Sequence, residues 1–270
     1  MKNFIKYFSV AALFTLAFFV NPVAKAESME FAQLIVADDV APEERLAKKI
    51  ELTTDALKKA DERVVEMRTK LEAIEFGDET PELQLRNKLI ENTNGYSAFY
   101  NEKLTALTTV STIEEVDLMI DGIIAYREGA YATGAKEVLE FTLVYSYTPS
   151  VLTLADKRLE NILQDVVRLE GLELIEPSIF VSRTDEAKTI LQKAHDLQTQ
   201  AMTLLMENYA ASLLVVPEVE IEAEVVAVAP VVIPEATPRT LAEQSLTEIK
   251  KLYELFIETG EKVGNTLGIN

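Results

Sequence analysis

The chain has no cysteine, no tryptophan and a single histidine, His195, among its 270 residues. Without cysteine it cannot form disulfides, use a thiolate nucleophile, or attach haem, lipid or an iron–sulfur cluster through sulfur. One histidine excludes a three-histidine zinc site, and position 192 lacks the glutamate of the Glu-x-x-His pattern found in ferritin-like bundles. We therefore predict no metal site and no cofactor.

Motifs of common catalytic sites are also missing. The sequence contains neither a G-x-S-x-G nucleophile turn nor a glycine-rich phosphate loop. The segment 117–122 has acidic residues but lacks the alternating oxygen ligands and the closing glutamate of a calcium-binding loop. Paired acids such as Glu114, Glu115, Asp117 and Asp121 are typical of a solvated helix face. These absences favour a protein that is not an enzyme.

Basic residues are scarce, with 26 Lys and Arg against 45 Asp and Glu, which gives a formal net charge of −19. Proteins bind nucleic acids and anionic lipid surfaces through Lys and Arg, so an acidic surface is repelled by both. We therefore expect no nucleic-acid partner and no attachment to an anionic membrane surface.

The amino terminus has the three parts of a secretory signal peptide. Lys2 and Lys6 precede an apolar run from Phe8 to Val20, and small residues at Val23–Ala26 form a cleavage site. The apolar run is shorter than the roughly 20 residues that span a bilayer as a helix. Cleavage after Ala26 leaves 23 basic and 45 acidic residues, a net charge of −22. We expect an exported protein, periplasmic or extracellular, without a stable membrane anchor after cleavage.

Proline positions predict where long helices begin and end. Pro42, Pro81, Pro149 and Pro177 are separated by long proline-free stretches, and proline suits the first turn of a helix but not its interior. Apolar residues recur in steps of three and four, most regularly from Leu46 to Ile74, as in amphipathic helices. Further helix starts are predicted from residues that typically cap helices, at Thr80, Thr112, Thr148, Ser182 and Thr240.

These patterns predict an all-α fold: an elongated antiparallel bundle of about five long helices plus a C-terminal helix after a spacer. The predicted segments are a signal peptide (1–26), an irregular N-terminal segment (27–41), a helical bundle domain (42–215), a linker rich in Pro, Val and Glu (216–239), and the C-terminal helix (240–268). The linker composition favours an extended, semi-rigid chain. Its alternating Val and Glu residues leave open an edge strand or docking segment at 219–228.

Small residues are concentrated in the third predicted helix, at Gly122, Ala125, Gly129, Ala132, Gly134 and Ala135. Glycine inside a helix costs about 1 kcal/mol relative to alanine, so close helix packing should compensate, or the glycines serve a ligand cavity or a hinge. Tyrosines are concentrated in the second and third predicted helices, at Tyr96, Tyr100, Tyr126, Tyr131, Tyr145 and Tyr147. A tyrosine combines an apolar ring with a polar tip, which suits both helix packing and recognition. Together they predict a possible ligand groove lined by Tyr96, Tyr100, Tyr126, Gly129 and Tyr131.

Three functions are consistent with this sequence; the least favoured is a cell-envelope enzyme that uses carboxylates. The first is an exported, non-catalytic helical bundle that acts through protein interaction, or as a structural element of the cell envelope or extracellular space. Its partner would be another protein or a second copy, bound through helical seams; the C-terminal helix could reach that partner or fold back on its own bundle. The alternative is a solute-binding or sensory bundle with a pocket near Gly129 and Tyr126.

Overall fold

A computed structural model describes residues 41–173, 177–214 and 236–266 of the chain. Within these ranges every regular secondary-structure element is a helix and none is a strand, which confirms the all-α fold class. The described helices are α1 (Pro42–Glu72), α2 (Pro81–Leu107), α3 (Ile113–Tyr126), α4 (Ala132–Thr142), α5 (Thr148–Gly171), α6 (Pro177–Leu214) and α7 (Pro238–Thr266), with π-helical segments at Arg127–Tyr131 and Leu143–Tyr147.

Some predictions concern residues that the structure does not describe. The predicted signal peptide, the N-terminal segment up to residue 40 and linker residues 216–235 lie outside the described ranges. Among the residues that are described, no helix combines the length and the apolar character needed to cross a membrane.

The chain divides between Leu139 and Glu140 into two compact units. In the first unit α1 packs along α2 and contacts α3. In the second unit α6 packs along α7, and α5 contacts both. The C-terminal helix α7 therefore folds back onto helices of its own chain. The arrangement of all helices in one elongated antiparallel bundle stays a prediction.

Helix α1 buries the apolar side predicted from the sequence. Leu57, Val64 and Leu71 are fully buried in the first unit, and Thr53 is buried in the same register. The Thr53 hydroxyl is satisfied within its own helix because it donates to the carbonyl of Lys49 at 2.8 Å. A polar residue in the apolar seam is thus accommodated without a partner from another helix.

Two predicted helix starts are present as hydrogen-bonded caps. At the start of α2, the Thr80 hydroxyl accepts a hydrogen bond from the Leu83 N–H at 3.2 Å. At the start of α3, Thr112 and Glu115 form a reciprocal capping box. Backbone N–H groups of Ser111 and Thr112 donate to the Glu115 carboxylate and lower its pKa.

The predicted starts of the last two helices are wrong by several residues. The helix expected to begin after Ser182 begins at Pro177, and the one expected to begin after Thr240 begins at Pro238. At α7 the capping residue is Thr237, whose hydroxyl accepts from the Thr240 N–H at 3.1 Å. Proline at the first helical position explains both starts, since its missing N–H would have no helical partner there.

The predicted break at Thr148–Pro149 is also wrong. The backbone stays helical from α4 through the second π segment (Leu143–Tyr147) into α5, and Tyr147 has right-handed helical dihedral angles. The third predicted helix, from Thr112 to Tyr147, is therefore α3 and α4 with two π segments. A π turn adds one residue to the helix, which accommodates a proline that a regular α-helical turn would exclude.

Candidate functional site

Four predicted groove residues form one aromatic cluster in the first unit. The ring of Tyr96 lies 5.4 Å from Tyr131 and 6.4 Å from Tyr126, both edge to face. Tyr100 makes edge contacts with the same two rings, at 6.3 Å to Tyr126 and 6.1 Å to Tyr131. Tyr96, Tyr100 and Tyr131 are buried, whereas Tyr126 is half-buried. Gly129, the fifth predicted residue, is exposed and does not line the buried part of the cluster.

A buried arginine completes this cluster and was not predicted. Arg127 is 1% exposed, and its guanidinium carbon lies 5.1 Å from the ring centroid of Tyr131 and 5.9 Å from that of Tyr100. Such cation–π contacts strengthen when the cation is removed from water. The sequence did carry a signal, because Arg127 follows Val116, Ile120 and Ile123 in steps of four, three and four.

The half-buried side of the cluster is covered by its own side chains. The rings of Phe99 and Tyr126 are stacked 3.7 Å apart with an interplanar angle of 15°. The Lys103 ammonium lies 5.1 Å from the Phe99 ring centroid. The rings thus contact one another and two cations of the same chain, Arg127 and Lys103.

The three glycines of this region have different surroundings. A Cβ atom built on Gly134 would lie 1.6 Å from the Tyr96 hydroxyl and 2.8 Å from its ring carbon Cζ. By contrast, among the described residues no atom comes within 4 Å of a Cβ built on Gly122 or Gly129, apart from chain neighbours and the helix's own backbone. Close packing therefore explains the glycine at position 134 only.

Gly122 and Gly129 belong to an exposed surface that we call the α3 face, made of Leu118, Gly122 and Ala125 of α3 and Gly129 of the π segment that continues it. These residues follow one another in steps of four, three and four, which places them on one side of the helix. All four are exposed, and the Leu118 side chain is 72% exposed. One edge of the face carries exposed carboxylates, at Glu114, Asp121 and Glu128.

Two polar contacts in the second unit join different helices, and both involve residues that can ionise. The His195 Nε2 atom lies 2.9 Å from the Asp156 carboxylate, which links α6 to α5. The buried carboxylate of Glu248 accepts from Lys251 at 2.8 Å and from Lys193 at 2.9 Å. Hydrogen bonds from Lys251 first, and from Lys193, lower the pKa of Glu248. In the described ranges no three His, Asp or Glu residues are grouped closely enough to hold a metal ion.

The aromatic cluster predicts a loss of stability at alkaline pH. Burial raises the pKa of Tyr96 and of Tyr126 above the ordinary value, and the charge of Glu137 adds to the effect at Tyr96. A folded-state pKa above the unfolded one means that the folded chain holds its proton longer. The contribution of each tyrosine to the stability of the fold is therefore complete below pH 10 and is lost as pH rises through the folded-state pKa. The unfolding free energy measured by urea titration should therefore fall progressively above about pH 10.

Replacing the tyrosine hydroxyl is the control for this alkaline loss. Tyr126→Phe removes one titrating group while keeping the stacked ring. This variant should lose less unfolding free energy between pH 9 and pH 11 than the natural chain, when both are followed by circular dichroism. Equal losses in the two proteins would contradict a role for Tyr126 in the alkaline transition.

No protein-family model, no curated protein and no solved structure matches this chain.

Proposed function

We propose that this chain is an exported, non-catalytic interaction protein that binds a helix of a partner protein on its α3 face. The observation that supports this proposal is the open space at Gly122 and Gly129. Each glycine in a helix costs about 1 kcal/mol relative to alanine. At these two positions no close contact from the described residues (41–139) of the first unit offsets that cost.

A partner helix would offset this cost. Small residues on one side of a helix let a second backbone approach closely, and the exposed Leu118 side chain offers an apolar anchor beside them. An exposed leucine alone is ordinary on a protein surface. Its position in line with two open glycines is what favours docking over a solvated face.

The charge of the same surface favours a basic partner over a second copy of the chain. Glu114, Asp121 and Glu128 line one edge of the α3 face, and the whole chain carries a net charge of −19. Two copies would bring like charges together, whereas a helix with Lys or Arg along one edge would be attracted. We therefore assign the partner as a basic amphipathic helix.

A photocrosslinking experiment in the cells that make the protein tests this surface. Leu118 is replaced by p-benzoylphenylalanine, and adducts are compared with and without Gly122→Leu. We expect one adduct of defined mass that Gly122→Leu removes, because the leucine side chain would fill the space needed by the partner backbone. The same adduct should weaken with Asp121→Lys if its partner is basic.

Gly95→Leu provides the matched control. Gly95 is also helical and exposed, and no described atom lies within 4 Å of its Cβ position, but it lies on α2. It should leave the adduct unchanged. Equal yields with Gly122→Leu and Gly95→Leu, or no adduct at Leu118, would rule out docking on the α3 face. Thermal unfolding of both variants checks that the fold survives.

Export is tested separately on the unmodified protein. Intact mass measured on the periplasmic or culture fraction should correspond to a chain that begins at Glu27. A cytoplasmic protein that retains Met1 would contradict export without affecting the crosslinking result.

A further inference from the structure

Pro149 lies two residues after the end of the second π segment (Leu143–Tyr147), and this leaves one backbone carbonyl of that segment without a helical donor. The Thr148 N–H donates to the Leu143 carbonyl, five residues earlier. Continuing this π pattern, the carbonyl of Val144 would accept from residue 149, which is Pro149 and has no N–H. A buried carbonyl without a donor costs about 1–3 kcal/mol, so another group should supply the hydrogen bond.

That hydrogen bond comes from α6. Gln198 is 4% exposed, and its side-chain Nε2 donates to the Val144 carbonyl. One turn earlier on α6, the Ala194 carbonyl accepts from the buried Ser245 hydroxyl of α7 at 2.7 Å. The donor that completes the second π segment is therefore carried by a helix that α7 itself holds in place.

Two buried oxygen atoms near this contact lack hydrogen bonds among the described residues. The Gln198 Oε1 and the Thr148 Oγ1 atoms are buried and have no hydrogen-bond partner in the described part of the second unit. An apolar residue at position 198 would avoid part of this cost. The presence of glutamine at position 198 is therefore best explained by the hydrogen bond that its Nε2 donates to the Val144 carbonyl.

We propose that Gln198 is a latch that replaces the N–H missing from Pro149 and sets the register of the second π segment. The conformation of this segment then depends on the docking of α6, and not on its own sequence alone. When α6 separates, the Val144 carbonyl loses its donor and the π register loses its stabilisation. Docking of α6 and formation of the π segment are thus one cooperative event.

A double-mutant cycle on the full mature chain tests the latch. Gln198→Met keeps the length of the side chain but removes the donor, and Pro149→Ala restores a backbone N–H at the position that lacks one. We expect Gln198→Met to lower the folding equilibrium constant at least about fivefold more in the natural background than in Pro149→Ala, which corresponds to roughly 1 kcal/mol of coupling. The comparison cancels the gain from removing Oε1, because both backgrounds contain it.

Gln200→Met is the matched control, because Gln200 is exposed on the same helix. It should have the same small effect in both backgrounds. Effects of Gln198→Met that agree within twofold between the backgrounds would overturn the proposal.

A second measurement does not depend on the variants folding. In the natural chain, the side-chain amide protons of Gln198 should exchange with D2O at least tenfold more slowly than those of Gln200, when both are followed by NMR. Equal exchange rates would show that the Gln198 amide is not held by the Val144 carbonyl, and would also overturn the latch.

Discussion

Gly134→Ala should destabilise the first unit by about 2 kcal/mol, although alanine is the better helix former. The added Cβ would lie 1.6 Å from the Tyr96 hydroxyl, far closer than non-bonded atoms approach. The tyrosine cannot simply swing away, because its ring packs edge to face against Tyr126 and Tyr131. Urea unfolding followed by circular dichroism measures the effect.

Gly129→Ala provides the opposite expectation within the same helical stretch. In the part of the chain that the structure describes, no side chain lies within 4 Å of its Cβ position, so this substitution should raise the unfolding free energy by roughly 1 kcal/mol. The change in unfolding free energy should thus be negative for Gly134→Ala and positive for Gly129→Ala. If Gly134→Ala also stabilised the protein, the close packing of Tyr96 against α4 would be refuted.

The effect at Gly134 should depend on the aromatic ring and not only on its hydroxyl. A Cβ at position 134 would also lie 2.8 Å from the Tyr96 Cζ atom. Gly134→Ala should therefore cost nearly as much unfolding free energy in a Tyr96→Phe background as in the natural chain. In a Tyr96→Leu background, which lacks the ring, the same substitution should cost much less. A double-mutant comparison separates these two cases.

Arg127→Ala should cost the first unit about 3 kcal/mol of unfolding free energy. The substitution removes a long, fully buried side chain and leaves a cavity between Tyr100 and Tyr131. It also removes the cation that faces both rings. Arg127→Lys should be intermediate, because an ammonium keeps the charge but lacks the planar group that stacks on aromatic faces.

Lys136→Ala is the control for loss of a positive charge from an acidic chain. Lys136 is exposed on α4, and substitutions of exposed residues usually change stability by less than about 0.5 kcal/mol. Equal effects of Arg127→Ala and Lys136→Ala in urea unfolding would mean that Arg127 contributes only its charge to the net balance.

Helical periodicity and capping residues made most of the fold predictable. The steps of three and four in α1 identified residues that are buried, including Thr53, and the Thr80 and Thr112 caps are present as expected. The misplaced starts at Ser182 and Thr240 have a common cause. Polar residues inside a helix resemble a cap in sequence, and only the proline at the first helical position distinguishes the true start.

The candidate site was less predictable, because a residue pattern does not specify which side chain fills a space. The tyrosines do come together, but the contacts of Arg127 with Tyr131 and of Phe99 with Tyr126 were not predicted, and a ligand groove at this cluster stays a prediction. The π segments were not predicted either. A single added residue per segment changes the helical register but does not change the amino-acid composition in a recognisable way. The second π segment also depends on a hydrogen bond from Gln198, which lies on another helix.

The docking of α7 means that the last helix is held by contacts as well as by the peptide chain. Ser245 donates to the Ala194 carbonyl, Glu248 binds Lys193, and Arg183 binds Glu258 at 3.2 Å, so three polar contacts along α7 tie it to α6. Buried Ile249 and Leu252 add apolar packing between them. A single peptide-bond cleavage between residues 216 and 235 would therefore produce two fragments that remain one folded, non-covalent complex.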